Sequence, residues 1–516
     1  MCSISGIIIK EQPIPVKYAI DMMKILKHRG KDSSGMLIDD NIIYFKDFKD
    51  VENLNVEIKN ISIGHNRLAI VGKYGNQPIP NEDENILLVC NGEIYNYIEL
   101  MEYLKENHEF KTDTDNEVIV HLYEEDKLEE LDGDYAYAIY DKLKNILLLA
   151  RDPFGVKPLF YVDTKKYFAF ASERKALWHL LISIDNCKKD LDVLNSKIKT
   201  LIPNSQLIYY LDNHRIEIIE NFKDDFKNLN NNYKTNLCYE EAKKYLEKAL
   251  KNAVLKRVRD LYRVGVICSG GVDSSLIAKL ASLYCKEVIL YAVGTENSED
   301  IIYAEKLSKE LNLPLRKKII SENEYEEYVF KVCRAIDEVD LMKIGVGIPI
   351  YVASELANKD GLKVVLSGQG ADELFGGYAR HERVYKEKGE EEFKKMLIND
   401  LTNIYKVNLE RDDHCTMANG VELRVPFLDE DVVKVTLSLP TNYLISDLRK
   451  RILRDVASKY LPDYIAYRPK KAAQYGSGGE KIIYKVAKKY GFSKKKINEF
   501  LKLLKNRVIE DFIKNI

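Results

Sequence analysis

Val264-Gly265-Val266-Ile267-Cys268-Ser269-Gly270-Gly271-Val272-Asp273-Ser274-Ser275-Leu276-Ile277 is the stretch from which the fold of the second half of the chain is read. Residues 264–268 form a short apolar run that reads as a buried strand, and 274–284 carry apolar side chains at helical spacing. Two glycines stand between them. A strand, a glycine turn and a helix in that order are one unit of a doubly wound parallel sheet, whose ligands sit at the carboxyl ends of the strands. The alternation continues with a strand at 288–293, a helix at 301–311 and a strand at 363–366. A long amphipathic helix at 239–260 precedes it. The last third reads as mostly helical. Its Lys-rich end, 494–516, has apolar residues at helical spacing and is expected to be a packed surface helix, not a nucleic-acid arm.

The turn carries chemistry. Gly270 and Gly271 let the backbone bend sharply, and the N–H groups of the loop and the helix start make an anion site. No Lys closes the loop, so it is not the usual triphosphate loop. Asp273 inside such a turn repels phosphate unless a divalent cation bridges them, which implies Mg2+. The string Ser269–Ser275 resembles the signature of the ATP pyrophosphatase superfamily, which cleaves ATP to AMP and pyrophosphate. That resemblance implies that Ser269, Gly270, Gly271, Asp273 and Ser274 hold ATP. It also implies adenine contacts from the backbone of the next strand, at Val293 and Gly294.

Working outward, residues 1 to about 180 are strand-rich. Short apolar segments at 4–9, 85–90, 135–140, 146–150 and 167–171 are separated by turn residues, and helices are expected at 16–26 and 97–107. This gives an α+β layered domain. The chain is therefore divided into a first domain at 2–185, a polar connector at 186–238 and a second domain at 239–516.

Bulk properties agree with such an enzyme. The 516 residues exceed one core, and the net charge of −2 provides no field for nucleic acid or an anionic membrane. The eight cysteines include no close pair, so neither a disulfide framework nor a cysteine metal site is expected. No signal peptide and no membrane-spanning run is read, so the expected setting is the cytoplasm. A homodimer is left open.

Cys2 follows the initiator Met. Once Met1 is removed, its α-amine, with a pKa near ~8, can serve its own thiol as general base. Most cysteines are inert, so context decides. The start Met1-Cys2-Ser3-Ile4-Ser5-Gly6-Ile7 is followed in order by His28-Arg29-Gly30, Asn66-Arg67-Leu68-Ala69-Ile70, Asn91-Gly92-Glu93-Ile94-Tyr95-Asn96, Thr114-Asp115 and Arg151-Asp152-Pro153-Phe154-Gly155. This set resembles the N-terminal-nucleophile glutamine amidotransferases and implies their layered sandwich. The resemblance assigns thiolate attack to Cys2 and the oxyanion hole to the Asn91 side chain and Gly92 N–H. It gives the glutamine carboxylate to Arg67 and the glutamine ammonium to Asp115, with Asn91 and Glu93 nearby.

Leu366-Ser367-Gly368-Gln369-Gly370-Ala371-Asp372-Glu373-Leu374-Phe375-Gly376-Gly377 again follows an expected strand. With Arg411-Asp412-Asp413, Glu422-Leu423-Arg424-Val425-Pro426 and Arg468-Pro469-Lys470, it is similar to the synthetase half of glutamine-hydrolysing asparagine synthetases. The resemblance implies that Ser367 and Gly368 hold AMP, that Asp372 is a second Mg2+ carboxylate, and that Lys470 neutralises the leaving pyrophosphate. Glutamine, aspartate and ATP are the implied substrates. ATP and aspartate give β-aspartyl-AMP, and ammonia released at Cys2 displaces AMP after passing through a dry interior route. Two departures stand out. Gln369 replaces a Glu often found in the family, so another group must accept the proton of the attacking ammonia. Segment 337–349 lacks the Thr and Arg pattern of some members, and Lys343 there is either a substrate partner or a surface residue. The competing expectation is a related amide ligase acting on a different carboxylate.

Overall fold

The first strand, Ser3–Ile9, is buried along its whole length, which a strand with one wet face would not be. The reason lies in its period of two. Ile4 and Ile8 point into a core shared with a second sheet, whereas Ile7 and Ile9 point into a core shared with helices. The computed structural model describes residues 2–223, 237–296, 298–469 and 479–515. In it Ser3–Ile9 lies inside a seven-stranded sheet ordered Lys199–Thr200, Phe160–Asp163, Tyr167–Ala171, Ser3–Ile9, Ile61–Arg67, Ser33–Ile38, Asn41–Phe45. The facing sheet is ordered Ile216–Glu220, Ser205–Tyr210, Ile146–Arg151, Gly133–Asp141, Ile86–Ile94, Ile79–Pro80. Ile4, Ile8, Leu87, Val89, Ala138, Leu149 and Phe168 fill the space between them. Helices Lys17–Ile25 and Arg174–Ser183 back the first sheet, and Tyr97–Leu104 and Val118–Glu124 back the second. The expected α+β sandwich is therefore observed, with both expected early helices in place.

The expected connector 186–238 differs from what is seen. Residues 191–197 form a helix, and Lys199–Thr200, Ser205–Tyr210 and Ile216–Glu220 join the edges of the two sheets. Ser205–Tyr210 pairs with Ile146–Arg151 over six residues, Leu207 against Leu149. Buried positions alternate strictly along this strand, a pattern obscured in the sequence by the polar residues around it.

The second half is a parallel sheet of five strands in the order Leu315–Ile319, Glu287–Gly294, Arg263–Ile267, Val364–Leu366, Glu422–Arg424. The first of these in the chain, Arg263–Ile267, sits centrally. Succeeding strands are added on one side and then on the other, so a switch point lies between Arg263–Ile267 and Val364–Leu366. Two strands were not legible. Leu315–Ile319 reads Leu-Arg-Lys-Lys-Ile and lies at an edge, and Glu422–Arg424 is three residues long with two charged side chains. The last helix, Ile497–Asn515, buries Phe500, Leu504, Val508 and Ile509, as a packed surface helix should. No helix among the described residues is long and apolar enough to cross a membrane.

The two halves are joined by buried ion pairs. Arg29 Nη1 lies 2.8 Å from both Glu173 Oε1 and Asp413 Oδ2. Arg257 Nη1 lies 2.8 Å from Asp429 Oδ2, and its Nη2 is 3.7 Å from Asp134 Oδ1. Losing one partner of such a pair leaves an uncompensated buried charge, at a cost of about 3–5 kcal/mol, so these contacts fix the mutual orientation of the halves.

Candidate active sites

Cys2 stands at the head of the central strand and lines a cleft with Arg67, Gly92, Glu93, Thr114 and Asp115. Four separate elements bring these residues together. Arg67 ends Ile61–Arg67, the neighbour of Ser3–Ile9. Asn91, Gly92 and Glu93 lie in Ile86–Ile94 of the facing sheet. Asp115 opens the turn before helix Val118–Glu124.

The Cys2 backbone nitrogen donates to Asn91 Oδ1 at 3.2 Å. That bond fixes the orientation of the amide and leaves Asn91 Nδ2 buried with no hydrogen-bond partner. A buried orphan donor costs about 1–3 kcal/mol. It is the group an oxyanion would satisfy. Gly92 is fixed by close approach, because a Cβ there would lie 2.7 Å from Asp134 O and 2.8 Å from Tyr135 Cα. Burial raises the Cys2 thiol above its ordinary pKa, opposed by the backbone of Leu68 and the charge of Arg67.

Arg67 is held by three carbonyls, with Nη1 on Lys73 O at 3.1 Å and Nη2 on Val71 O at 3.2 Å and Gly72 O at 2.8 Å. Asp115 accepts from Ile94 N at 2.8 Å, Asn116 Nδ2 at 2.6 Å and Thr114 Oγ1 at 3.1 Å. Burial pushes its pKa up to about 6 against those hydrogen bonds. Glu93 is also raised well above the carboxylate range by burial, with Arg424 opposing.

The cleft has a wall that the sequence reading missed: Glu422, from the second domain. Glu422 and Arg424 form one short strand, with Arg424 Nε 2.7 Å from Glu422 Oε1 and Arg424 Nη2 3.0 Å from Glu93 Oε2. Gln77, also unread, lines the cleft and donates from Nε2 to Asn116 Oδ1 at 3.0 Å.

The second site lies at the carboxyl ends of the parallel strands. The loop from Ser269 to Gly271 joins Arg263–Ile267 to Val272–Tyr284, with Gly271 as the helix cap. Gly270 has φ of 65°, a left-handed conformation, and packs on Tyr303 and Ala304. Val293 and Gly294 end the adjacent strand on one side. Ser367 and Gly368 follow the adjacent strand on the other side, and a Cβ on Gly368 would lie 2.9 Å from Asp273 Cβ and 3.0 Å from Ser274 N. The two signatures, far apart in sequence, are thus in van der Waals contact.

Asp273 and Asp372 face one point. Lys450 Nζ lies 2.7 Å from Asp273 Oδ2 and 2.7 Å from Asp372 Oδ1. Lys450 is buried, and burial lowers its pKa against the pull of Asp273. Its φ of 59° is left-handed, a conformation costing of order 1–3 kcal/mol that is typically retained at functional sites. Nothing in the sequence reading had singled it out. Arg468 Nη1 donates to Ser269 O at 2.9 Å, which ties the Arg468-Pro469 segment to the phosphate loop. Lys470 itself lies outside the described residues.

Gln369 donates from Nε2 to Asp412 Oδ2, and Asp412 Oδ1 is held by Arg411 Nε at 2.7 Å. A buried carboxylate therefore stands next to the position where Gln replaces Glu. Burial raises its pKa, with Arg411 opposing. Lys343 pairs with Glu338, and its backbone N–H is capped by Asp340 at 2.9 Å.

Comparison with known proteins was made against this geometry. A family model described as a glutamine amidotransferase domain matches residues 49–216, and one described as asparagine synthase matches 245–388 and 384–503. A Methanocaldococcus jannaschii protein, provisionally named glutamine-hydrolysing asparagine synthetase 1, is 73% identical over 99% of this chain and 100% of its own length. The glutamine-hydrolysing asparagine synthetase of Gallus gallus is 31% identical over 92% of this chain and 84% of its own length. Asparagine synthetase B of Escherichia coli K12 is 30% identical over 93% and 83%, respectively.

Proposed function

The chain belongs to the glutamine-hydrolysing asparagine synthetase family, and from that premise we propose how its residues divide the work. The chain makes asparagine in an ATP-dependent reaction, taking the nitrogen from glutamine. The first domain runs to Glu220, where its last strand ends, and the second begins with helix Tyr239–Val258.

In the first site the Cys2 sulfur attacks the side-chain amide of glutamine. Asn91 Nδ2 and the Gly92 N–H receive the oxyanion. Arg67 takes the substrate carboxylate and Asp115 its ammonium, with Glu93 beside it. Ammonia leaves, and water hydrolyses the thioester to glutamate.

In the second site Ser269, Gly270, Gly271, Ser274, Ser367 and Gly368 cradle the phosphates and ribose of ATP, with Val293 and Gly294 against adenine. The aspartate side-chain carboxylate attacks the α-phosphorus and pyrophosphate leaves. Asp273 and Asp372, each in the first turn of its helix and both 2.7 Å from Lys450 Nζ, offer the hard oxygen donors that Mg2+ takes. When bound, that ion supplies positive charge to the leaving pyrophosphate, a task Lys470 shares. Lys450 holds the two carboxylates together. Ammonia then attacks the β-aspartyl-AMP carbonyl, and the acyl C–O bond breaks to release AMP. Asp412, not Gln369, accepts its proton, because an amide cannot.

One observation carries the coupling of the two sites. Glu422, in the wall of the glutamine cleft, pairs in register with Val364, and Arg424 with Leu366, immediately before Ser367 and Gly368. From Val364, level with Glu422, to Ser367 is three residues, about 10 Å at ~3.3 Å per residue along the strand. A dry passage between the two sites would keep ammonia unprotonated. The eight cysteines are all unpaired, which supports a reducing, cytoplasmic setting. The test is product stoichiometry: glutamine, aspartate, ATP and Mg2+ should yield asparagine, glutamate, AMP and pyrophosphate one to one. Pyrophosphate release with another carboxylate and none with aspartate would overturn the acceptor.

A further inference from the structure

In the first domain, outside the residues that line the Cys2 cleft, four side chains converge. Glu82 lies in the loop before strand Ile86–Ile94, His108 follows helix Tyr97–Leu104, and His121 and Glu124 are one turn apart on helix Val118–Glu124. Their ligand atoms all lie within 4.8 Å of one another. His108 Nδ1 is 3.2 Å from Glu82 Oε1 and 3.8 Å from Glu124 Oε2. His121 Nδ1 is 3.2 Å from Glu124 Oε2 and 3.7 Å from Glu82 Oε2.

We propose that these four residues form a zinc site. A tetrahedral ion with bonds of about 2.0–2.1 Å needs its ligand atoms about 3.3–3.4 Å apart. With Glu124 Oε2 as one ligand, the two imidazole Nδ1 atoms lie 3.8 and 3.2 Å from it, and His108 Nδ1 lies 3.2 Å from Glu82 Oε1, which bracket that value. The alternative is a plain hydrogen-bonded cluster. It would draw two imidazole Nδ1 atoms onto the same pair of carboxylates with the rings only 4.5 Å apart. Both Nδ1 atoms compete for the same oxygen, Glu124 Oε2, whereas a cation among the four groups takes a lone pair from each. Mixed nitrogen and oxygen donors select against Mg2+ and Ca2+, which favour oxygen alone. Four protein ligands leave no position for substrate, so the site is structural and not catalytic.

The surroundings are those of a metal site. The second ring nitrogen of each histidine faces a further carboxylate, His121 Nε2 at 3.7 Å from Glu117 Oε1 and His108 Nε2 at 3.6 Å from Glu125 Oε1. That arrangement orients metal-bound imidazoles. The ligand carboxylates are themselves held. Glu82 Oε1 accepts from Glu109 N at 2.9 Å, and Glu124 Oε1 from Asn81 Nδ2 at 2.8 Å. Glu117 also accepts from Lys111 N at 2.6 Å and Thr112 N at 2.7 Å. The ion would thereby brace the segment that leads to Asp115.

The test uses the full chain without a histidine tag. Purified protein dialysed against micromolar zinc should retain about one zinc per chain. A His108→Gln/His121→Gln variant and a separate Glu82→Gln variant should lose it. Chelation of the unmodified protein should lower its unfolding temperature, and Zn2+ but not Mg2+ should restore it, a readout that needs no variant. Co2+ in place of zinc should give the visible bands of a four-coordinate ion without a thiolate charge-transfer band. Retention of no zinc, equal zinc in wild type and variants, or a thiolate band placing the metal on cysteine would each overturn the proposal.

Discussion

Arg424 Nη2 lies 3.0 Å from Glu93 Oε2, both side chains buried, one from each domain. This pair joins strand Glu422–Arg424, the neighbour of Val364–Leu366 that precedes Ser367 and Gly368, to the cleft around Cys2. Arg424→Met should therefore do two things. It should destabilise the chain by about 3–5 kcal/mol, the cost of stranding a buried charge. It should also release more than one glutamate per asparagine, because the cleft would no longer be sealed to the second domain. Unfolding midpoints and the glutamate-to-asparagine ratio check this, and an unchanged midpoint with one-to-one products would refute it.

On the proposed division of work, Cys2 and Asn91 act only on glutamine. Cys2→Ala should abolish glutamine use while leaving ammonia-driven asparagine formation intact. Asn91→Ala, which removes the orphaned Nδ2 donor, should lower glutaminase kcat by roughly 10²–10³ and spare the ammonia reaction. Parallel assays with the two nitrogen sources separate these outcomes.

Asp115 sets a pH dependence. Its pKa is raised by burial to about 6, and only its charged form pairs with the glutamine ammonium. Affinity should be present above pH 6 and fade as pH falls through that value. The kcat/KM profile for glutamine should bend near pH 6, since it reports groups of the free enzyme. Asp115→Asn should lower kcat/KM and remove the bend.

As the proposed proton acceptor, Asp412 would bear on the synthetase step alone. Asp412→Asn should reduce asparagine formation from either nitrogen source by about 10²–10⁴, the usual worth of a general base. Glutaminase activity and ATP–pyrophosphate exchange with aspartate should persist. Loss of the exchange reaction would instead place Asp412 in adenylation.

What could be read in the sequence follows from what each residue must do locally. The strand, the glycine turn of Ser269–Gly271 and the helix after it were legible because each is dictated by its own neighbours. Asn91, Arg67 and Asp115, which the fold brings to Cys2, were picked out through short strings whose order mattered more than their content. Lys450, Glu422 and Arg424 were not singled out for any role. Their significance lies in partners far along the chain, and a charged three-residue strand such as Glu422–Arg424 shows no periodicity. The cluster of Glu82, His108, His121 and Glu124 was missed for the same reason, since only the packing of one helix and two loops brings it together. Residues 186–220 were read as a connector because the alternation of Ser205–Tyr210 is flanked by polar turns.

The central claim is that nitrogen passes from Cys2 to the adenylate inside one molecule. Glutamine labelled with 15N at the side-chain amide, supplied with aspartate, ATP, Mg2+ and unlabelled ammonium in excess over the ammonia released, tests it directly. Asparagine should carry 15N at its amide with little dilution, and the Cys2→Ala variant should incorporate only unlabelled nitrogen. Dilution of the label to the isotope ratio of the surrounding solution would contradict the claim.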